Sequence, residues 1–159
     1  PRKGILFRDI TPILKDHALL ERVVQGIGEQ YKDKGIQGIA AIESRGFIFG
    51  VPLALQMRVP FLPIRKSGKL PCKTRYAEYK LEYGTDRVEM HEDAVAPKQK
   101  ILIVDDLLAT GGTAAASATL VESVGGVVAG CAFVVELGFL RGRENLRKYD
   151  LFSLVTYEK

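Results

Sequence analysis

ILIVDDLLATGGTAAA (residues 101–116) joins a four-residue aliphatic run to two adjacent acids, a Gly-Gly-Thr turn and a run of small residues. Ile101 to Val104 show no polar alternation, which suits a strand buried on both faces, as in a parallel sheet covered by helices. TAAASATLVES then reads as a helix that stops at Gly125 and Gly126. Between strand and helix, Gly111 and Gly112 let the backbone turn tightly and leave its N–H groups unshielded. Thr110 and Thr113 add hydroxyl donors, and a helix N-terminus follows, so the turn is a ready cradle for phosphate. It is neither a Walker loop nor a GxGxxG fingerprint. Asp105 and Asp106 would repel a phosphate, but they can accept hydrogen bonds from the neighbouring hydroxyls of a sugar. The spacing reads as a ribose diol on the acids and its 5′-phosphate in the turn. Either half alone fits an ordinary strand end or helix cap; only the combination points to a sugar phosphate.

Working outward, the same alternation of apolar runs and helical patterns recurs. Pro12 after Thr11 signals a helix start, and Leu20, Val23, Val24, Ile27 and Tyr31 share one helical face. GIAAI (38–42) is a strand candidate, followed by a turn into a helix at SRGFIFGVPLALQM, and PFLPIRK (60–66) is the next strand. Residues 67–80 read as loop. YKLEYGTDRVEMH alternates about a Gly-Thr-Asp turn and predicts an antiparallel hairpin. VVAGCAFVVEL and LFSLVTYE are further strands, with a short helix over RGRENLRKY between them. Together these predict an α/β fold, a mostly parallel sheet flanked by helices, with residues 1–159 as a single domain. AIESRGF and VDDLLATGGT both place acids and Gly after a strand. Parallel strands bring such ends to one edge, where ligands of these sheets bind.

The 159 residues fit one domain of the usual ~100–200 residues. No apolar run approaches the ~18 residues of a membrane span, and no signal peptide is visible. Because the chain opens on Pro1, a trimmed start is expected. Cys72 and Cys131 form no metal or redox pair. Cys131 reads as core and Cys72 as a free thiol, in a reducing cytoplasmic setting. The net charge of +4 suits an anionic partner. Aromatics do not interleave with the basic residues as a nucleic-acid platform would, so neither nucleic acid nor membrane is expected as partner. His17 and His91 stand alone, and no Ser-His-Asp set is present.

ILIVDDLLATGGT (101–113) closely resembles the phosphoribosyl-pyrophosphate signature of the type I phosphoribosyltransferases. Three further stretches resemble the adenine-specific branch of that family. GILFRDITPIL (4–14) resembles its base-binding segment, ESRGFIFG (43–50) its pyrophosphate loop and KLEYGTD (80–86) its mobile catalytic loop. The likeness runs over essentially the whole chain, with the segments in the family's order. It implies a type I phosphoribosyltransferase-like fold with a short N-terminal base-binding segment and helix (1–35) and an antiparallel hairpin lid (66–92).

The resemblance also implies a reaction, adenine plus phosphoribosyl pyrophosphate giving AMP and pyrophosphate, with Mg²⁺ held mainly by the substrate and water. It implies a homodimer, and no metal-ligating residues are named. Asp105 and Asp106 would hold the ribose hydroxyls, and Ala109, Thr110, Gly111, Gly112 and Thr113 the 5′-phosphate. Glu43, Ser44 and Arg45 would form the pyrophosphate loop, with a cis peptide at Glu43–Ser44 and Arg45 gripping the leaving group. Arg65, Lys66 and Lys69 would assist it. Phe7 would stack on adenine, the backbone of Leu6 and Arg8 would read its polar edge, and Leu137 would cover its other face. Glu82 and Tyr83 would be the catalytic residues of the lid, with Glu82 handling the proton at the imidazole edge. The alternatives are a phosphoribosyltransferase for another base and a non-catalytic sensor of phosphoribosyl pyrophosphate.

Overall fold

In the computed structural model, which describes residues 9–159, the chain begins with α1 (Thr11–Lys15), α2 (His17–Tyr31), β1 (Gly38–Ile42) and α3 (Arg45–Met57). It continues with β2 (Phe61–Lys66), β3 (Thr74–Lys80), β4 (Thr85–His91), β5 (Lys100–Leu108) and α4 (Gly112–Ser123). β6 (Val127–Leu137), two 3₁₀ turns (Gly138–Leu140 and Gly142–Leu146) and β7 (Leu151–Tyr157) complete it. Leu6, Phe7 and Arg8 lie outside the described residues, and so does their expected base contact.

One seven-stranded sheet runs in the order β3-β4-β2-β1-β5-β6-β7. β2, β1, β5, β6 and β7 pair in parallel, while β3 and β4 add an antiparallel margin. The strands alternate between two cores, as the period of two requires. Ile39, Ala41, Leu102 and Val104 face α2 and α3 with Val24, Ile27, Phe49 and Leu53. Ala40, Ile42, Ile101 and Ile103 face α4 with Ala118, Leu120 and Val121. Continuous apolar runs are therefore what β1 and β5 need, since both of their faces are covered.

Four sequence expectations change. Residues 74–80 are strand, not loop, because β3 pairs with β4 from Thr74↔His91 to Lys80↔Thr85. β3 is an edge strand whose exposed polar residues carry no apolar period. The hairpin turns at Leu81–Gly84, and Thr85 and Asp86 already belong to β4. Residues after Gly138 form 3₁₀ turns in place of a helix. Finally, β5 does not end at the acids. It continues to Leu108 because Leu107 and Leu108 pair with Val135 and Glu136 of β6.

The chain leaves β1 through α3 toward β2 on one side, and leaves β5 through α4 toward β6 on the other. The connections diverge between β1 and β5, and a crevice opens at such a switch point beyond the C-terminal strand ends. Both motif-bearing segments border it.

Candidate active site

The first wall of the crevice is the β1–α3 corner. The Glu43–Ser44 peptide bond is cis, as the resemblance implied. α3 starts at Arg45, whose guanidinium Nε lies 3.0 Å from Asp106 Oδ2. The Asp106 side chain is 5% exposed and that of Arg45 is 48%. No N–H is aimed at Asp106 Oδ2, so this buried oxygen accepts no hydrogen bond among the described residues. Asp105 reaches the same corner, since a β-carbon built on Gly46 would stand 3.0 Å from Asp105 Oδ1. That oxygen accepts the backbone N–H of Asp106 at 2.9 Å.

Two carboxylates in so little water cannot both ionise freely. Burial, and next the charge of Asp106, push the Asp105 carboxyl well above the usual carboxylate range, while Arg45 pulls the other way. A carboxyl raised in the folded state holds its proton there after the unfolded chain has released it. Its cost to stability therefore appears as pH rises above the ordinary value of 3.8 and is absent below it. Asp105→Asn is expected to raise Tm at pH 7–8 by roughly 2–4 °C, the shift that ~1 kcal/mol produces in a domain of this size. The gain should shrink toward pH 4. A Tm difference that stays constant across that range, followed by circular dichroism, would sink this reading.

The second wall is the turn after β5. Ala109, Thr110, Gly111, Gly112 and Thr113 line a hollow of about 90 Å³ together with Asp105 and the first turn of α4. Gly111 has φ +83°, the left-handed conformation that glycine adopts without steric cost. α4 begins at Gly112 with its first-turn N–H groups unused by the helix. An anion in the hollow meets those donors and the positive end of the helix dipole. The hollow is small and polar. A larger concavity, about 560 Å³, lies elsewhere, among Ile10, Ile13, Val23, Val134 and Leu154.

Residues 11–157 match the family described as "Phosphoribosyl transferase domain". An adenine phosphoribosyltransferase of Roseiflexus sp. is 50% identical over 157 residues, spanning 99% of this chain and 91% of the relative. The chain belongs to the adenine phosphoribosyltransferases. Among solved structures, the adenine phosphoribosyltransferase of Thermoanaerobacter pseudethanolicus superposes with a TM-score of 0.96 at 52% identity. It covers 99% of this chain and 91% of its own. The Saccharomyces cerevisiae enzyme, solved with an imino-altritol bisphosphate and adenine, gives 0.91 at 40% identity, covering 97% and 89%.

The adenine phosphoribosyltransferase residues expected at the leaving-group side cluster on β2 and its neighbours. Arg65 Nε donates to Glu43 Oε2 at 2.7 Å and its Nη1 to the Lys69 carbonyl at 3.0 Å. Glu43 also accepts the Lys66 N–H at 3.3 Å, so in this structure it ties the cis corner to β2. Lys66 Nζ donates to Asp86 Oδ2 at 2.6 Å and also meets the Tyr79 hydroxyl, which itself donates to Asp86 at 3.0 Å. Burial would lower the Lys66 ammonium, but its hydrogen bonds to Asp86 and Tyr79 outweigh that and hold its pKa above the usual lysine range. Ser44 and Lys69 are exposed.

Glu82 and Tyr83 stand on the hairpin turn that joins β3 to β4, beyond the pair Lys80↔Thr85. Tyr83 is 89% exposed. Leu137, which ends β6, is 1% exposed.

Sequence reading missed the residues that hold these groups. Asp86 was legible only as a turn residue, and Tyr79 only as the outer end of the expected hairpin. The contact of Asn145 with the Thr110 carbonyl crosses 35 positions and leaves no local signal.

Proposed function

We propose that this chain catalyses the transfer of the 5-phosphoribosyl group from phosphoribosyl pyrophosphate to adenine, giving AMP and pyrophosphate. One observation carries the reading. At a single switch point, an acid pair with an unsatisfied buried oxygen stands between an anion hollow and an arginine-bearing corner. That is the order sugar, 5′-phosphate and leaving group require. Relatives about 50% identical over 99% of the chain carry the name of this activity. Nothing favours a sensor or another base. AMP formation from adenine, with hypoxanthine as the control base, is the direct assay. Equal rates with both bases would overturn the adenine assignment.

In this reading the bond from C1′ to the pyrophosphate oxygen breaks, and its electron pair leaves with pyrophosphate. The N9 lone pair of adenine forms the new bond to C1′. Asp105 and Asp106 accept hydrogen bonds from the ribose hydroxyls and stabilise the positive charge that develops on the sugar. Residues 109–113 fix the 5′-phosphate, while Glu43, Ser44, Arg45, Arg65, Lys66 and Lys69 surround the pyrophosphate side. Fixed charges of this kind act on the transition state without reorganising.

Magnesium would neutralise charge on the leaving pyrophosphate. Such an ion keeps most of its water and takes few protein ligands, which fits a corner whose acids near the sugar are Asp105 and Asp106. Leu6, Phe7, Arg8 and Leu137 would enclose the base. Residues 1–159 would act as one catalytic domain, with residues 66–92 as its lid. The same reading implies a homodimer, checked by light scattering, and a cytoplasmic setting, which suits two unpaired cysteines. No described helix is long and apolar enough to cross a membrane.

Glu82 would take the proton that adenine loses at its imidazole edge. Glu82→Ala is then expected to lower kcat by roughly 10²-fold, in the usual range for general acid–base help. KM for phosphoribosyl pyrophosphate should change only a few-fold. Turnover within a few-fold of the parent in a steady-state assay would remove Glu82 from that role.

A further inference from the structure

We infer that the segment Gly142–Asn145 is a brace that orients the phosphate loop, with Asn145 as its positioning residue. This rests on the reading of residues 109–113 as the 5′-phosphate site.

Three contacts converge on this segment. Asn145 Nδ2 donates to the Thr110 carbonyl at 2.7 Å. Gly142 lies directly on the loop backbone. A β-carbon on Gly111 would stand 2.5 Å from the Gly142 carbonyl oxygen, and one on Gly142 would stand 2.3 Å from that of Ala109. Neither position has room for a side chain, so two stretches of main chain touch. Arg143 then anchors the segment from behind. Its Nε and Nη2 donate to Glu136 Oε1 and Oε2 at 2.7 and 2.8 Å. The Glu136 side chain is 3% exposed, and the residue pairs in register with Leu108, just ahead of the loop.

The Thr110 carbonyl and the Gly111 N–H belong to one peptide unit and point in opposite directions. A peptide next to two glycines can turn over at little steric cost. If it did, the carbonyl and the N–H would exchange sides in a turn that lines the hollow, and a carbonyl dipole on the hollow side would repel an anion. The Asn145 amide fixes the carbonyl on the side of the 3₁₀ turn and so fixes which way the peptide faces. The brace therefore sets the sign of the local field without touching the ligand.

The test is calorimetric titration of the full chain with ribose 5-phosphate and, separately, with pyrophosphate. Asn145→Ala is expected to weaken ribose 5-phosphate by roughly 5- to 10-fold, the worth of about one hydrogen bond. Pyrophosphate affinity and Tm should stay within about two-fold and ~2 °C. Asn145→Asp, which has no donor, should lose at least as much. Asn145→Gln, which keeps an amide on a longer arm, should recover part of the affinity. Unchanged ribose 5-phosphate binding in Asn145→Ala, or an equal loss for both ligands, overturns the brace alone. Failure of the unsubstituted protein to bind ribose 5-phosphate overturns the phosphate-loop reading and the brace with it.

Discussion

Asp106→Asn is expected to lower kcat/KM for AMP formation by roughly 10²–10³-fold, the range seen when one preorganised electrostatic contact to a transition state is removed. The carboxylate is 5% exposed and sits beside Arg45, yet its Oδ2 accepts no hydrogen bond among the described residues. Buried acceptors normally find a partner in protein, ordered water or ligand. A ribose hydroxyl would complete this one, and the bond strengthens as the sugar gains positive charge, because charge-assisted hydrogen bonds are about twice as strong as neutral ones. Asparagine keeps the volume and loses the charge. The loss should therefore fall mainly on kcat, with KM for phosphoribosyl pyrophosphate moving less. A variant with near-parental kcat and a large KM increase would show that Asp106 only binds the ground state.

Gly111→Val is expected to destabilise the fold by about 2–5 kcal/mol and to weaken ribose 5-phosphate beyond detection. A left-handed conformation costs a side-chain-bearing residue ~1–2 kcal/mol. At φ +83° the new β-carbon also stands 2.5 Å from a backbone oxygen, which cannot swing aside as a side chain could. Such overpacking adds ~1–3 kcal/mol. Gly112 is the internal comparison. It lacks a positive φ, and a β-carbon there would meet nothing nearer than Tyr79 at 4.0 Å. Gly112→Ala should leave Tm within ~2 °C or raise it, since alanine is the better helix former. Similar Tm losses for the two substitutions, measured by calorimetry, would remove the contact with Gly142 as the cause.

Those two glycines are adjacent in sequence and read alike there. Their difference shows where legibility stopped. The continuous apolar runs of β1, β5 and β6 marked a covered parallel sheet, and the acids with the glycine turn marked its working edge, because both signals are local. The hairpin was legible, but the start of β3 from Thr74 was not, since its partner β4 confers its structure and its exposed side chains need no pattern. The extension of β5 to Leu108 depends on the neighbouring β6 register. Asp86, Tyr79 and Asn145 act by holding other groups across 20, 13 and 35 positions. Such contacts come from topology, and polar residues at those spacings are otherwise ordinary.

The parallel sheet has a practical corollary. Lys98 is exposed and lies two residues before β5 begins, while Asp105 and Asp106 lie near its other end. At ~3.3 Å per strand residue, the five to six steps from Lys100 to the acids span roughly 16–20 Å. A fluorophore or a solid support coupled through the Lys98 amine would sit on the side of the sheet opposite the crevice. Substrates could then exchange freely in an immobilised protein, which makes this lysine a rational attachment point for a sensor.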